Sequence, residues 1–172
     1  MKKIVCFSLY VVFLTFGVLL QHLHSQVVAT VCMENKHSEK LPSDATLYME
    51  NKLMDVFFDE GFIVTNLPYA KEEIDFYRSY RKNQYAFETE PDYLVILYFL
   101  YEGKKRYDEI KRKNILPCQA IYCKVIKRNS SQVLYEKMFE LEKLDASGIY
   151  KKLDFCLSVF NEKITEAIRG SK

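Results

Sequence analysis

Beyond the first two dozen residues, the apolar positions of the chain change period several times, and each change predicts a new element. QVVATVCM, from Gln26, is β-branched and apolar at nearly every position, the pattern of a strand buried on both faces. A polar loop, ENKHSEKLPSD, follows it. Met49, Leu53, Val56 and Phe57 then fall on one helical face, with Leu47, Met54 and Phe58 beside it, so a helix is expected to lie flat on a sheet with both phenylalanines packed. Ser43 or Asp44 fits its N-cap, and Gly61 the left-handed position past its end. FIVTN starts a second strand at once, and a strand, a helix and a strand within about 40 residues make a βαβ unit with parallel strands.

LPYAKEEIDFYRSYRKNQ, opened by Pro68, places Tyr69, Ile74, Tyr77 and Tyr80 among many charges and predicts a more exposed helix or helical turn. DYLVILYFLY has one charge, at its start, and is too short to cross a bilayer as a helix, so it is expected to be the central strand. EGKKRYDEIKRKNILP is a charged connection with no readable period. CQAIYCKVIK and VLYEKMFEL, joined by the polar turn RNSSQ, predict an antiparallel hairpin with one wet face. Ile149, Leu153, Cys156, Leu157, Phe160, Ile164, Ala167 and Ile168 keep helical spacing to the end, with Ser147 as expected N-cap and Gly170 as expected stop. The expected fold is an α/β (α+β) sandwich, β-α-β-(α)-β-β-β-α, with a mixed sheet and the helices mainly on one face.

The opening residues have a different character. MKK followed by IVCFSLYVVFLTFGVLL, without a charge, and then by QHLHSQ reads as an export signal over residues 1–25, cleaved after Ser25. Residues 26–172 are then one domain, and a periplasmic location is expected. Retention of residues 4–20 as an anchor is the alternative, since the run has the minimum length to span a bilayer. No cysteine follows it closely enough for a lipid anchor. Composition adds little to this picture: 25 Lys and Arg against 23 Asp and Glu are interleaved along the chain, which argues against a nucleic-acid partner.

Cys32, Cys118, Cys123 and Cys156 remain in the mature chain among apolar neighbours and are expected to be buried small hydrophobes. Cys118 and Cys123 are five apart, which in a regular strand puts them on opposite faces and speaks against a metal pair. No nucleophile elbow, zinc-helix motif or phosphate loop is present, so no catalytic, cofactor or metal residue is assigned. His37 reads as a solvated loop histidine. The pairs Asp59-Glu60, Glu72-Glu73, Glu88 with Glu90, and Asp108-Glu109 read as solvated faces, because adjacent residues on a helix diverge by about 100°. Tyr69, Tyr77, Arg78, Tyr80, Arg81 and Tyr85 combine the residue types that protein interfaces favour and form the expected interaction surface.

LMDVFFDEGFIVTN, PDYLVILYFLYEG and AIYCKVIKRNSSQVLYEKMF together resemble landmarks of the α/β module shared by the curli-secretion protein CsgG, the TolB N-terminal domain and LpoB. Two features depart from that group: no lipobox is present, and the connection after the central strand is longer. The resemblance implies a non-enzymatic envelope protein that docks onto an envelope protein or complex, with homo-oligomers permitted. Two other functions are carried beside it: a small hydrolase with Asp92 or Glu88 in a cleft, and a ligand-binding module tethered by the N-terminal run.

Overall fold

The computed structural model describes residues 26–35, 43–67, 90–108, 112–145 and 148–171. Its elements in chain order are β1 (Val27–Glu34), α1 (Asp44–Asp59), β2 (Ile63–Asn66), β3 (Tyr93–Tyr101), β4 (Arg106–Asp108), β5 (Lys113–Ile115), β6 (Cys118–Lys127), β7 (Gln132–Glu140), a 3-10 turn (Leu141–Lys143) and α2 (Ile149–Gly170). Five strands form one sheet in the order β2-β1-β3-β6-β7. β1 runs parallel to both β2 and β3, while β3–β6 and β6–β7 are antiparallel. The mixed sheet, the parallel βαβ unit and the central place of β3 agree with the sequence reading. The charged connection, which had no readable period, forms a separate two-stranded hairpin of β4 and β5.

Alternation along the strands sorts the core into two layers. Val28, Cys32, Tyr93, Val95, Leu97, Phe99, Ile121, Cys123 and Val125 face α1 and α2, which add Met49, Leu53, Phe57, Leu153, Phe160 and Ile164. The other face buries a smaller set: Ala29, Val31, Met33, Leu67, Leu94 and Ile96. β1 is buried at all eight positions, as its unbroken apolar run predicts.

Three expectations need correction. Phe58 is 73% exposed, because α1 meets the core along the single row Thr46, Met49, Leu53 and Phe57, and the next residue lies about 100° round the helix. The cap of α2 is Gly148 rather than Ser147: its positive φ of 84° turns the chain into the helix without a side-chain hydrogen bond. Cys118 and Cys123 share a face, because a bulge at Gln119 sets Tyr101 against Cys118 and Leu100 against Ala120, inserting one residue into the alternation.

The stretch LMDVFFDEGF closes α1 with a Schellman motif. Gly61, at φ 84°, donates its N–H to the Phe58 carbonyl at 3.0 Å, and Phe62 donates to the Phe57 carbonyl at 3.0 Å. The motif's apolar contact is Phe62 edge-on to Phe57, with ring centroids 6.0 Å apart. No heavy atom lies within 4 Å of where a Cβ would sit at Gly61, so an alanine there would suffer only from the left-handed backbone. Gly61→Ala should therefore lower the unfolding free energy by about 1 kcal/mol. Gly170→Ala, equally open but without positive φ, should be neutral or raise it by a few tenths of a kcal/mol. Urea unfolding of both variants checks the difference in sign.

Candidate functional site

β1 continues through α1 to β2 on one side of it, whereas its other neighbour, β3, comes later in the chain. The carboxyl ends of β1 and β3 therefore flank a topological switch point, where open α/β sheets commonly bind ligands. Period two along β1 puts Glu34 on the helix-facing side with Cys32 and Val28, and Tyr101 ends β3 on that same side. The N-terminus of α1 lies over both residues.

Glu34 is fully buried. Its Oε1 accepts the Ser43 N–H at 2.8 Å and the Thr46 hydroxyl at 2.5 Å, so the carboxylate sits where the first turn of α1 offers donors and a favourable dipole. Ser43 Oγ in turn accepts the Thr46 N–H at 3.3 Å as the N-cap. The Tyr101 hydroxyl bonds Ser43 Oγ and lies 2.9 Å from Thr46 Oγ1. Asn35 holds the Tyr101 main chain from both sides: its amide donates to the carbonyl at 2.7 Å and its Oδ1 accepts the N–H at 3.2 Å. The crevice is thus filled by side chains that satisfy one another. General acid–base work needs a carboxylate within reach of a substrate, and Glu34 is spent on the helix.

The four cysteines are buried and free, and their side chains belong to the layer between sheet and helices. Burial, then the nearby Glu34 charge, pushes the Cys118 thiol up to about 12, and burial does the same to Cys156. Burial also raises Cys32 and Cys123. Thiols held protonated are poor nucleophiles and poor metal ligands. Among the described residues no group of three or more His, Cys, Asp and Glu could hold a metal, and no helix is long and apolar enough to cross a membrane.

The expected interaction residues Tyr69, Tyr77, Arg78, Tyr80, Arg81 and Tyr85 lie outside the described residues, as do His37, Glu72, Glu73, Glu88 and Glu109. Glu90 is described, and the Arg128 guanidinium beside it holds its carboxyl below the usual carboxylate range. Asp92, offered above as a hydrolase carboxylate, instead ties β1 to β3. Its Oδ2 accepts the Val27 N–H at 2.9 Å, and its own N–H donates to the Val27 carbonyl at 2.9 Å. Glu60 caps α1 and pairs with Arg169 at 2.7 Å across to α2, while Asp59 is exposed. Glu34, assigned to a loop by its polarity, was legible only through its spacing of two from Cys32.

Beyond this cluster, large apolar side chains are exposed on the helices at Leu47, Phe58 and Phe155, on the β4–β5 hairpin at Tyr107, and at both sheet edges. At one edge β2 exposes Ile63 at 52%. At the other, β7 pairs among the described residues with β6 alone, and six of its nine side chains are exposed, Val133 and Met138 among them.

A family model described as an uncharacterised protein matches residues 27–169. No curated protein matches the chain. Among solved structures, the PelC dodecamer of Paraburkholderia phytofirmans is 14% identical, with a TM-score of 0.42 over 80% of this chain and 86% of that one. Protein XCC0632 of Xanthomonas campestris is 12% identical, with a TM-score of 0.42 over 86% and 89%. A neuraminyllactose-binding hemagglutinin homolog of Helicobacter pylori is 10% identical, with a TM-score of 0.39 over 84% of each chain.

Proposed function

Given that the chain belongs to the family whose model spans almost all of residues 26–172, we propose that it is an exported, non-enzymatic envelope adaptor that binds another protein. The observation that carries this reading is β7, a nine-residue edge strand with six exposed side chains. A strand at an edge presents a row of main-chain donors and acceptors, and adding an extended peptide to such a row is a general mode of protein recognition. Val133 and Met138 stand on the same side of β7, facing Ile126 and Tyr122 of β6, and offer apolar contacts to alternate residues of an added strand.

Self-pairing of this edge in three of its central registers is disfavoured by charge. Symmetric antiparallel pairing centred on Glu136 or Lys137 sets like charges opposite each other, and centring on Met138 sets Glu136 against Glu140. The export signal expected over residues 1–25 and the sequence resemblance to the CsgG, TolB and LpoB module would fit the same reading, as does the self-saturated crevice at Glu34.

A photocrosslinking amino acid placed at Val133 or Met138 should trap an envelope protein in native cells. The same group at Leu47, exposed on α1 away from the edge, should not. Equal yields from all three positions, or none from β7, would count against the edge as the docking element.

A further inference from the structure

We propose that the β4–β5 hairpin is an electrostatic contact for an anionic membrane surface, a role separate from partner binding at β7. The hairpin leaves the sheet at the end of β3 and returns at the start of β6, its base closed by the Glu102 N–H on the Pro117 carbonyl at 2.9 Å. Among the described residues three pairs hold it together, too few to form an apolar layer of their own. Arg106 Nη2 lies 2.6 Å from Glu102 Oε1 and fastens the hairpin to the body.

Its charge sets it apart from the rest of the molecule. Residues 104–113 contain six of the 25 Lys and Arg and two of the 23 Asp and Glu, a balance of +4. The remaining 19 cations and 21 anions give −2, so this segment is opposite in sign to the rest of the chain taken together. Lys104, Lys105, Arg106 and Arg112 are all exposed. Tyr107, opposite Asn114 in the pairing, is 62% exposed among them. Cations beside an exposed tyrosine match the layering of a bilayer interface: ammonium and guanidinium groups meet anionic headgroups, and the phenol sits at headgroup depth. An acidic protein could take the same cations and tyrosine, and polyglutamate stands in for it in the experiment.

The chain contains no tryptophan, so Tyr107→Trp installs a single fluorescent reporter on the hairpin. Phe58→Trp provides an exposed control near the C-terminal end of α1, a 16-residue helix about 24 Å long. Full-length protein is mixed with vesicles of phosphatidylglycerol and phosphatidylcholine, with vesicles of phosphatidylcholine alone, or with polyglutamate. We expect the Tyr107→Trp emission to shift to the blue with the anionic vesicles only, and the shift to fade as salt is raised from 0.05 to about 0.5 M, where the Debye length is only a few ångströms. The Phe58→Trp emission should stay unchanged. Adding Lys104→Gln, Lys105→Gln and Arg112→Asn should weaken partitioning by roughly 100-fold. Asparagine is chosen at position 112 because it tolerates the φ of 48° found there. Insertion of the N-terminal apolar run would not distinguish the two vesicle types. An equal shift on both vesicles, no shift on either, or a shift with polyglutamate alone would overturn the proposal.

Discussion

Glu34→Ala is expected to lower the unfolding free energy by about 3 kcal/mol, far more than removal of a surface carboxylate. The alanine would leave the Ser43 N–H and the Thr46 hydroxyl without their acceptor beneath the first turn of α1, at a site where Glu34 itself is fully buried. Glu34→Gln keeps an oxygen for those donors but loses the charge that the helix terminus favours, so about 1–2 kcal/mol should be lost. Glu34→Leu combined with Thr46→Val removes a donor and its acceptor together and should recover part of the loss. Guanidinium unfolding followed by circular dichroism measures the series. An alanine variant within about 0.5 kcal/mol of the parent would mean that the carboxylate is not holding the helix.

Phe160→Ala should cost still more, about 4 kcal/mol, by opening a cavity between α2 and the sheet. Phe160 is completely buried and meets Phe139 and Tyr135 edge-on, with centroids 5.1 and 6.5 Å away. Phe58→Ala removes the same ring from solvent and should change stability by no more than about 0.5 kcal/mol. A 4 kcal/mol loss is a large part of a typical domain's stability. The Phe160→Ala protein should therefore unfold at markedly lower denaturant, and similar midpoints for the two variants would contradict the placement of these rings.

These contrasts mark where the sequence was readable. Strong periods survived: the continuous run of β1, the ten-residue run at β3 and the helical spacing from Ile149 to Ile168 became a doubly buried strand, the middle of the sheet and α2. Gly61 was legible because a glycine between a helical and a β-branched pattern has a specific backbone task. Phe58 was misread because adjacency in sequence is divergence on a helix, and the width of an apolar arc does not tell how much of it the sheet covers. The Cys118 and Cys123 faces were misread because a bulge at Gln119 has no signature in an alternating pattern. The polar cluster was missed for another reason: Glu34 reads as the start of a loop unless the burial of the helix N-terminus above it is known. Asp92 could be proposed for chemistry from its position before a strand, yet its Oδ2 accepts the main-chain N–H of Val27.

The strand order β2-β1-β3-β6-β7 also bears on the course of folding. β6 and β7 are joined by a short turn and can pair quickly, and β3 can dock on β6 after closing only the hairpin loop. β1 must find β3 across 65 residues, as the Val27–Asp92 contact shows, and it brings α1 and β2 with it. Until β1 arrives, the most apolar strand of the sheet presents an open edge. The interval before that closure is when the chain is most prone to aggregate, and a chaperone that covers β3 or delivers β1 would shorten the exposure.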